Sequence, residues 1–415
     1  MSWIKRIKKR ISKKLYHCMT AYKYARILSA LKQKIKKGEK IRIGFYVVFD
    51  SVFPAERIFK KLLKDPMFEP FILVIPDVSR GEENMFYQMD KTYKTLSAKY
   101  KNVYRSYNKK TKSFVDFSDK VDMVFFANPY DPMTDKLYTI QYNSENNCLP
   151  LYVSYGCMPD LYARKHIINM PSMNMCWKVF ADTKENLEDC IKYTDVHGSN
   201  VVLSGYCKMD NLALCRTKKR TRKKIIIAPH HTVAHPLYPL SNFLSYHDFF
   251  LKLPDMYPDI DFVFRPHPLL YPTLCRDDIW GKKKTDEYFA KIESKPNMIW
   301  QNGGDYFDTF VNSDGMIHDC ASFILEYLFT GHPCCYMLHN EHEIEDIFMD
   351  LGKNCLKQYY QAFNEQQILN FIDNVIIAGK DPLKKSRQEY ADKSLKINYP
   401  HVSDAIIKHI KECLL

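Results

Sequence analysis

The sequence predicts an α/β protein: two facing Rossmann-like domains preceded by a basic amphipathic helix. Three observations carry that reading. From Ile41 onward short apolar runs alternate with helical stretches, and the alternation happens twice. Several runs of the second half stop abruptly in histidine, arginine or aspartate. The whole net charge of +13 is held by the first forty residues. Strands alternating with helices imply parallel sheets covered by helices. In such sheets ligands bind beyond the carboxyl ends of the strands.

The leader comes first. Residues 1–40 hold fourteen Lys and Arg against Glu39 alone, so the remainder of the chain balances to zero. Trp3, Ile4, Ile7, Ile11, Leu15 and Met19 recur at helical spacing, with Lys8, Lys9 and other basic residues filling the opposite face. An amphipathic basic helix with a tryptophan near its end suits an anionic membrane surface. A solvated helix packed on its own protein is the alternative. A nucleic-acid enzyme would spread basic charge over its working surface, so no nucleic-acid partner is expected. No run reaches the roughly 18 to 20 apolar residues that span a bilayer, and no secretory signal is present. Thirteen cysteines at irregular spacing, without a C-x-x-C pair, read as reduced and buried, in keeping with the cytoplasm.

In the first half, strands are expected at 41–49, 70–76, 121–129, 150–156, 176–182 and 200–205, and helices at 55–65 and 81–98. A basic run, "RTKKRTRKK" at 216–224, separates the halves and reads first as a solvated loop. In the second half, strands are expected at 224–232, 261–264 and 297–302. Segment 315–338 reads as strand, turn, helix, turn, strand, and helices are expected near 243–256, 364–378 and 402–414. The expected organisation is a membrane-associating leader (1–40), an acceptor domain (41–206), a basic linker (207–224) and a nucleotide-donor domain (225–380). Helices over 381–415 pack back across both domains. With 13 glycines and neither G-x-G-x-x-G nor a Walker sequence, nicotinamide and ATP chemistry are not indicated.

The strand ends carry the chemistry. "DFVFRPHPLL" (261–270) runs from a buried strand into Arg265 and His267, each followed by a proline that stiffens the turn. His230, His231 and Thr232 end the preceding strand. Asp319 and Ser322 open the helix after the strand at 315–317, with Glu326 one turn on. Imidazoles and a helix start can meet phosphate oxygens, and a carboxylate can accept a ribose's hydroxyls. The plain alternative is that Asp319 or Ser322 caps the helix and Glu326 is solvated. The three histidines could equally form a metal site, but no His-x-x-x-His pair with a third ligand supports it, and no metal is assigned.

"RPHP", then "SDG…HDCAS…LE", then "TGHPCCYM" resembles the CDP-glycerol glycerophosphotransferase family, the primases and polymerases of teichoic acids and related polymers. The match covers roughly residues 200–340. It implies a GT-B-like fold attached to the cytoplasmic face of the membrane. The donor would be CDP-glycerol or another CDP-polyol, and the acceptor would be lipid-linked or polymeric. It places Arg265 and His267 on the pyrophosphate and Ser322 on phosphate oxygens, with Asp319 supporting the turn. Glu326 on the ribose is a reading of this sequence alone. Family members carry a Trp-His-Gly-Thr-Pro turn whose histidine is the acceptor's general base. Here "SYGCMPD" (154–160) puts Tyr155 at that place, so either Asp160, His166 or a histidine of the other domain takes the proton, or the acceptor differs from a glycerol-phosphate chain.

The expected reaction is attack of an acceptor hydroxyl on the β-phosphorus of a CDP-polyol, releasing CMP. No cofactor is required, and help from Mg2+ is left open. A GT-B glycosyltransferase using a CMP- or UDP-sugar for a surface or capsule polysaccharide is the second reading. A non-catalytic membrane-bound scaffold is the third.

Overall fold

Parallel strands buried on both faces need nearly continuous apolar sequence, and the runs expected to be strands have it. In the computed structural model, which describes residues 3–235 and 238–415 and side chains from 15 onward, they form two separate parallel sheets. The chain divides into two compact units. Unit 1 comprises residues 1–155, 164–210 and 397–415, and unit 2 comprises 156–163 and 211–396.

Unit 1 is built on β1 (Ile41–Val47), β2 (Phe68–Val74), β3 (Val103–Arg105), β4 (Met123–Phe126), β5 (Leu149–Val153), β6 (Lys178–Ala181) and β7 (Val201–Leu203). They pair in the order β3-β2-β1-β4-β5-β6-β7. The central β1 sets Ile41 opposite Phe68 and Ile43 opposite Met123. Phe45 stacks on Phe125 across β1 and β4 and meets Phe59 edge-on from α2 (Glu56–Leu62). α3 (Glu82–Ser97) contributes Met85, Met89 and Leu96 to the same core.

The leader is not detached from this unit. α1 (Trp3–Lys36) is one helix, and its later turns bury Tyr24, Ile27 and Leu31 in the core. The side chains of Trp3, Ile4, Ile7, Lys8, Lys9 and Ile11 lie outside the described residues. Where the description begins, Leu15, Met19 and Tyr22 are 60%, 63% and 69% exposed. They continue the apolar stripe read from the sequence, and it faces away from unit 1's core. No helix among the described residues is long and apolar enough to cross a membrane.

The end of the chain also belongs to unit 1. The helix Val402–Leu414 buries Val402, Ile406, Ile410 and Leu414 at four-residue spacing against this core. Its first turn is capped from elsewhere: the fully buried Asp210 accepts the N–H groups of Val402 (3.1 Å) and Ser403 (2.8 Å). Residues up to 396 stay with unit 2, so the expected segment 381–415 divides near its middle. The expected linker also starts late, because 207–214 is a 3-10 helix that buries Cys207, Met209 and Leu212.

Unit 2 holds β8 (Lys223–Ala228), β9 (Ile260–Phe264), β10 (Met298–Trp300), β11 (Gly315–His318), β12 (Cys334–Met337) and β13 (Tyr360–Ala362). Their order, β10-β9-β8-β11-β12-β13, reverses direction at β8, so the carboxyl ends of β8 and β11 flank the switch point where such folds bind ligands. α4 (Phe243–Met256), α5 (Gly281–Ser294) and α6 (Phe323–Glu326) cover the sheet with its connecting loops. Part of the basic run is paired within this unit: Lys218 with Asp308, Arg220 with Asp314 and Arg222 with Asp261.

Candidate functional site

The site is assembled at the strand ends of unit 2. The turn after β9 stays bonded to the segment after β8: Arg265 donates its N–H to the Ile227 carbonyl (2.8 Å) and His267 to that of Pro229 (2.9 Å). With Pro266 and Pro268 on either side of His267, these bonds fix the turn in place. The imidazole is fixed as well, because its Nδ1 accepts the N–H of Leu269 at 3.1 Å. With Nδ1 engaged as an acceptor, a neutral His267 carries its proton on Nε2 and presents a donor.

His230, His231 and His267 gather here. The rings of His231 and His267 stack with centroids 4.1 Å apart, and His230 lies 4.4 Å from His231 and 5.1 Å from His267. His230 is buried, and its Nδ1 meets the Thr232 hydroxyl at 2.8 Å. Burial, then the neighbouring imidazoles, hold its pKa well below the usual histidine value, so this ring is neutral. Ring nitrogens of the three histidines lie within 4.8 Å of one another, close enough to be considered for a metal ion. The Leu269 bond argues for an anion instead: a ligating Nε2 would leave Nδ1 to donate, and here it accepts.

Asp319 is a brace. It is fully buried, and its carboxylate accepts the N–H of His230 and that of Asn242, each at 2.6 Å. It therefore ties the end of β11 to the end of β8 and the start of α4. Burial raises its pKa to about 7 against the pull of those donors. Ser322 is half-buried at the start of α6, which is a single turn, and its side chain forms no cap. The extended helix start expected there is short, because a 3-10 turn (Tyr327–Thr330) follows at once.

Arg265 and Glu326 are placed otherwise than expected. Arg265 is 5% exposed, and its guanidinium donates to the carbonyls of Gly303 (3.0 Å) and Gly304 (2.6 Å). Both glycines have left-handed backbones, φ 75° and 74°, a region where a side chain would be strained. The guanidinium also lies over the ring of Tyr306, 5.1 Å from its centroid, and the Tyr306 hydroxyl donates to the carboxylate of Glu326. Glu326 is fully buried. These two residues hold the loop after β10 and present little surface to a ligand. Nothing in the residues marks the pairing, since "NGG" at 302–304 reads only as a turn.

Asp160 belongs to unit 2, apart from Tyr155. It accepts the Ala163 N–H (2.8 Å) at the start of the helix Leu161–His166 and the Tyr238 hydroxyl (2.7 Å). Burial raises its pKa. An aspartate three residues before a helical N–H is a capping signal, and the cap is what forms. His166 is exposed in unit 1. Tyr155 stands at the carboxyl end of β5 in unit 1, its hydroxyl 3.3 Å from that of Tyr130 and its carbonyl accepting Lys208 at 3.1 Å.

No family model and no curated protein matches the sequence. Solved structures do match. The wall teichoic acid polymerase TagF aligns over 98% of this chain and 98% of its own with a TM-score of 0.59 at 12% identity. The S. aureus MnaA–UDP structure covers 90% of this chain and 97% of that one (TM-score 0.55, 16% identity). The UDP-GlcNAc 2-epimerase from Neisseria meningitidis bound to UDP-GlcNAc covers 90% and 100% (0.54, 12%). At these identities the likeness is one of fold: the chain has the GT-B-like architecture found in the wall teichoic acid polymerase and in UDP-GlcNAc 2-epimerases.

Proposed function

We propose that the protein transfers a polyol phosphate, glycerol phosphate foremost, from a CDP-polyol to an acceptor hydroxyl in the synthesis of a teichoic-acid-like or capsular polymer. The observation that carries the reading is the fixed His267 donor within the histidine cluster at the switch point of unit 2. The likeness to a teichoic acid polymerase along nearly the whole chain supports it. The acceptor oxygen forms a bond to the β-phosphorus, the bond from that phosphorus to the bridging oxygen breaks, and CMP leaves. His267 and the cluster offset charge on the diphosphate, and Asp319 holds their backbone still. Ser322, at the start of α6, would meet phosphate oxygens. Tyr155 and Tyr130 offer hydroxyls for a polyol acceptor, and the acceptor proton passes to a general base. No cofactor is built into this reading, and Mg2+ dependence is open to a chelator test.

The apolar stripe of α1, ending at Leu15, Met19 and Tyr22 and flanked by basic residues, supports peripheral binding to an anionic membrane on its cytoplasmic side. The acceptor would then be met at the lipid surface.

The test is CMP release on acceptor-bearing membranes with CDP-glycerol, CDP-ribitol, CMP-sialic acid and UDP-sugars offered in parallel. CMP from a CDP-polyol, lost in His267→Ala, is the expected result. The likeness to the epimerases favours a second reading, a sugar-nucleotide enzyme, and turnover of sugar nucleotides alone would replace the first with it.

A further inference from the structure

Three imidazoles in mutual contact form a site whose charge state depends on what occupies it. Without a ligand, a proton on any of the rings faces the others. Burial and the neighbouring histidines already keep His230 neutral. The groups around the cluster come from every adjoining segment. His230 and His231 follow β8, with His235 and Tyr238 further along the same loop, and the Tyr238 hydroxyl is committed to Asp160. His267 and Arg265 follow β9, the guanidinium committed to Gly303 and Gly304. His318 ends β11 and Asp319 follows it, and the carboxylate is committed to the backbone of His230 and Asn242. The nearby positive charge of Arg265 is thus engaged with carbonyl oxygens, and the nearby negative charge of Asp319 with backbone N–H groups.

A diphosphate ester brings two negative charges and reverses the preference of these rings. Resting on the phosphate reading above, we infer that the cluster is a proton-linked diphosphate site: a nucleoside diphosphate ester binds there together with about one proton taken from solvent. The proton ends on a ring nitrogen of His231, hydrogen-bonded to a phosphate oxygen. One proton is expected and not two, because His230 is buried and kept neutral, and His267 holds its Nδ1 as the acceptor of the Leu269 N–H while its Nε2 already carries a proton. The bound ester also acquires a preference for lower pH, its Kd rising about tenfold per pH unit above the titration of the empty cluster.

The experiment is titration calorimetry of the full chain with CDP-glycerol and, separately, UDP-GlcNAc. Diesters of this kind hold fixed charge between about pH 6 and 9, so a proton taken up is the protein's. The heat is measured in buffers of low and high ionisation enthalpy. A slope near one proton, falling toward zero in a His231→Gln variant whose melting transition is unchanged, is expected. A slope of zero in the wild type overturns the inference, as does failure of both esters to bind. Stoichiometric Zn2+ binding that disappears in His231→Gln also overturns it, in favour of a metal site. The polyol-phosphate reading fails separately: proton-linked binding of UDP-GlcNAc with no CMP release from any CDP-polyol would sink that reading and leave this one. CMP release with a zero slope would do the reverse.

Discussion

Arg265 is the residue whose role changed most between sequence and structure. At a strand end, between a phenylalanine and a proline, it reads as a phosphate ligand, since arginine is the side chain suited to bidentate anions. The same forked geometry suits two successive carbonyls, and those of Gly303 and Gly304 take it. A side chain's chemistry is legible in sequence, but which of two suitable partners it meets depends on a loop nearly forty residues away. Arg265→Lys keeps the charge and loses the two-pronged grip. The expected result is a donor KM raised about tenfold, read from initial rates, with a lowered melting transition because a buried carbonyl loses its donor. His318 makes a second case. It is fully buried, its Nδ1 accepts the Cys320 N–H, and burial lowers its pKa to about 3 from the usual histidine value of 6.5. Between those two values only the unfolded chain takes up the proton, so this histidine costs stability as pH falls from 6.5 toward 3. His318→Phe removes that cost. Relative to the wild type, the variant should gain about 1.4 kcal/mol per pH unit over that interval, measured by urea unfolding at several pH values.

Among the elements, the strands buried on both faces were the legible ones. "KIIIA" and "FILV" contain nothing but apolar residues beyond the first position, and both lie in central β8 and β2. β3 escaped notice because it is an edge strand of three residues with Tyr104 exposed, so no apolar run marks it. α5 is unmarked for a similar reason: "GKKKTDEYFAKIES" is mostly polar, and only Thr285, Tyr288, Phe289 and Ile292 turn inward. The helix Val402–Leu414 was expected from its four-residue apolar repeat, but its destination was not, because the cap that fixes it comes from Asp210 far back in the chain. That carboxylate accepts two N–H groups, and Arg57 lies 3.9 Å away. Asp210→Ala strands both donors in a buried place and should cost about 2 kcal/mol in urea unfolding. Asp210→Asn, able to accept with one oxygen, should fall between the two proteins.

On the scale of the whole molecule, the two-sheet plan was readable and the path of the chain between the units was not. Alternating strands and helices specify what packs on a sheet, but not that residues 156–163 leave the first unit to join the second. That excursion is settled by contacts such as Asp160 with Tyr238 and the Met349 N–H with the Pro159 carbonyl (2.9 Å). The leader divides likewise into two parts with different duties. Removing residues 1–14 takes away much of the basic apolar stripe and spares Tyr24, Ile27 and Leu31. Binding to anionic liposomes should drop while melting holds, by co-sedimentation and calorimetry. Removing residues 1–36 also deletes those three core side chains, and unit 1 should fail to fold cooperatively.

The two ends of the chain pack in one core, with α1 and the helix Val402–Leu414 both seated on unit 1. Synthesis therefore runs in an unusual order. Unit 2 is translated complete before residues 397–415 exist, so the first unit begun is the last that can close. While ribosomes work through unit 2, the groove that Val402, Ile406, Ile410 and Leu414 will fill stands open on the nascent chain. In that interval the apolar faces that the last helix will cover are exposed, the condition under which chains of this size are most prone to aggregate.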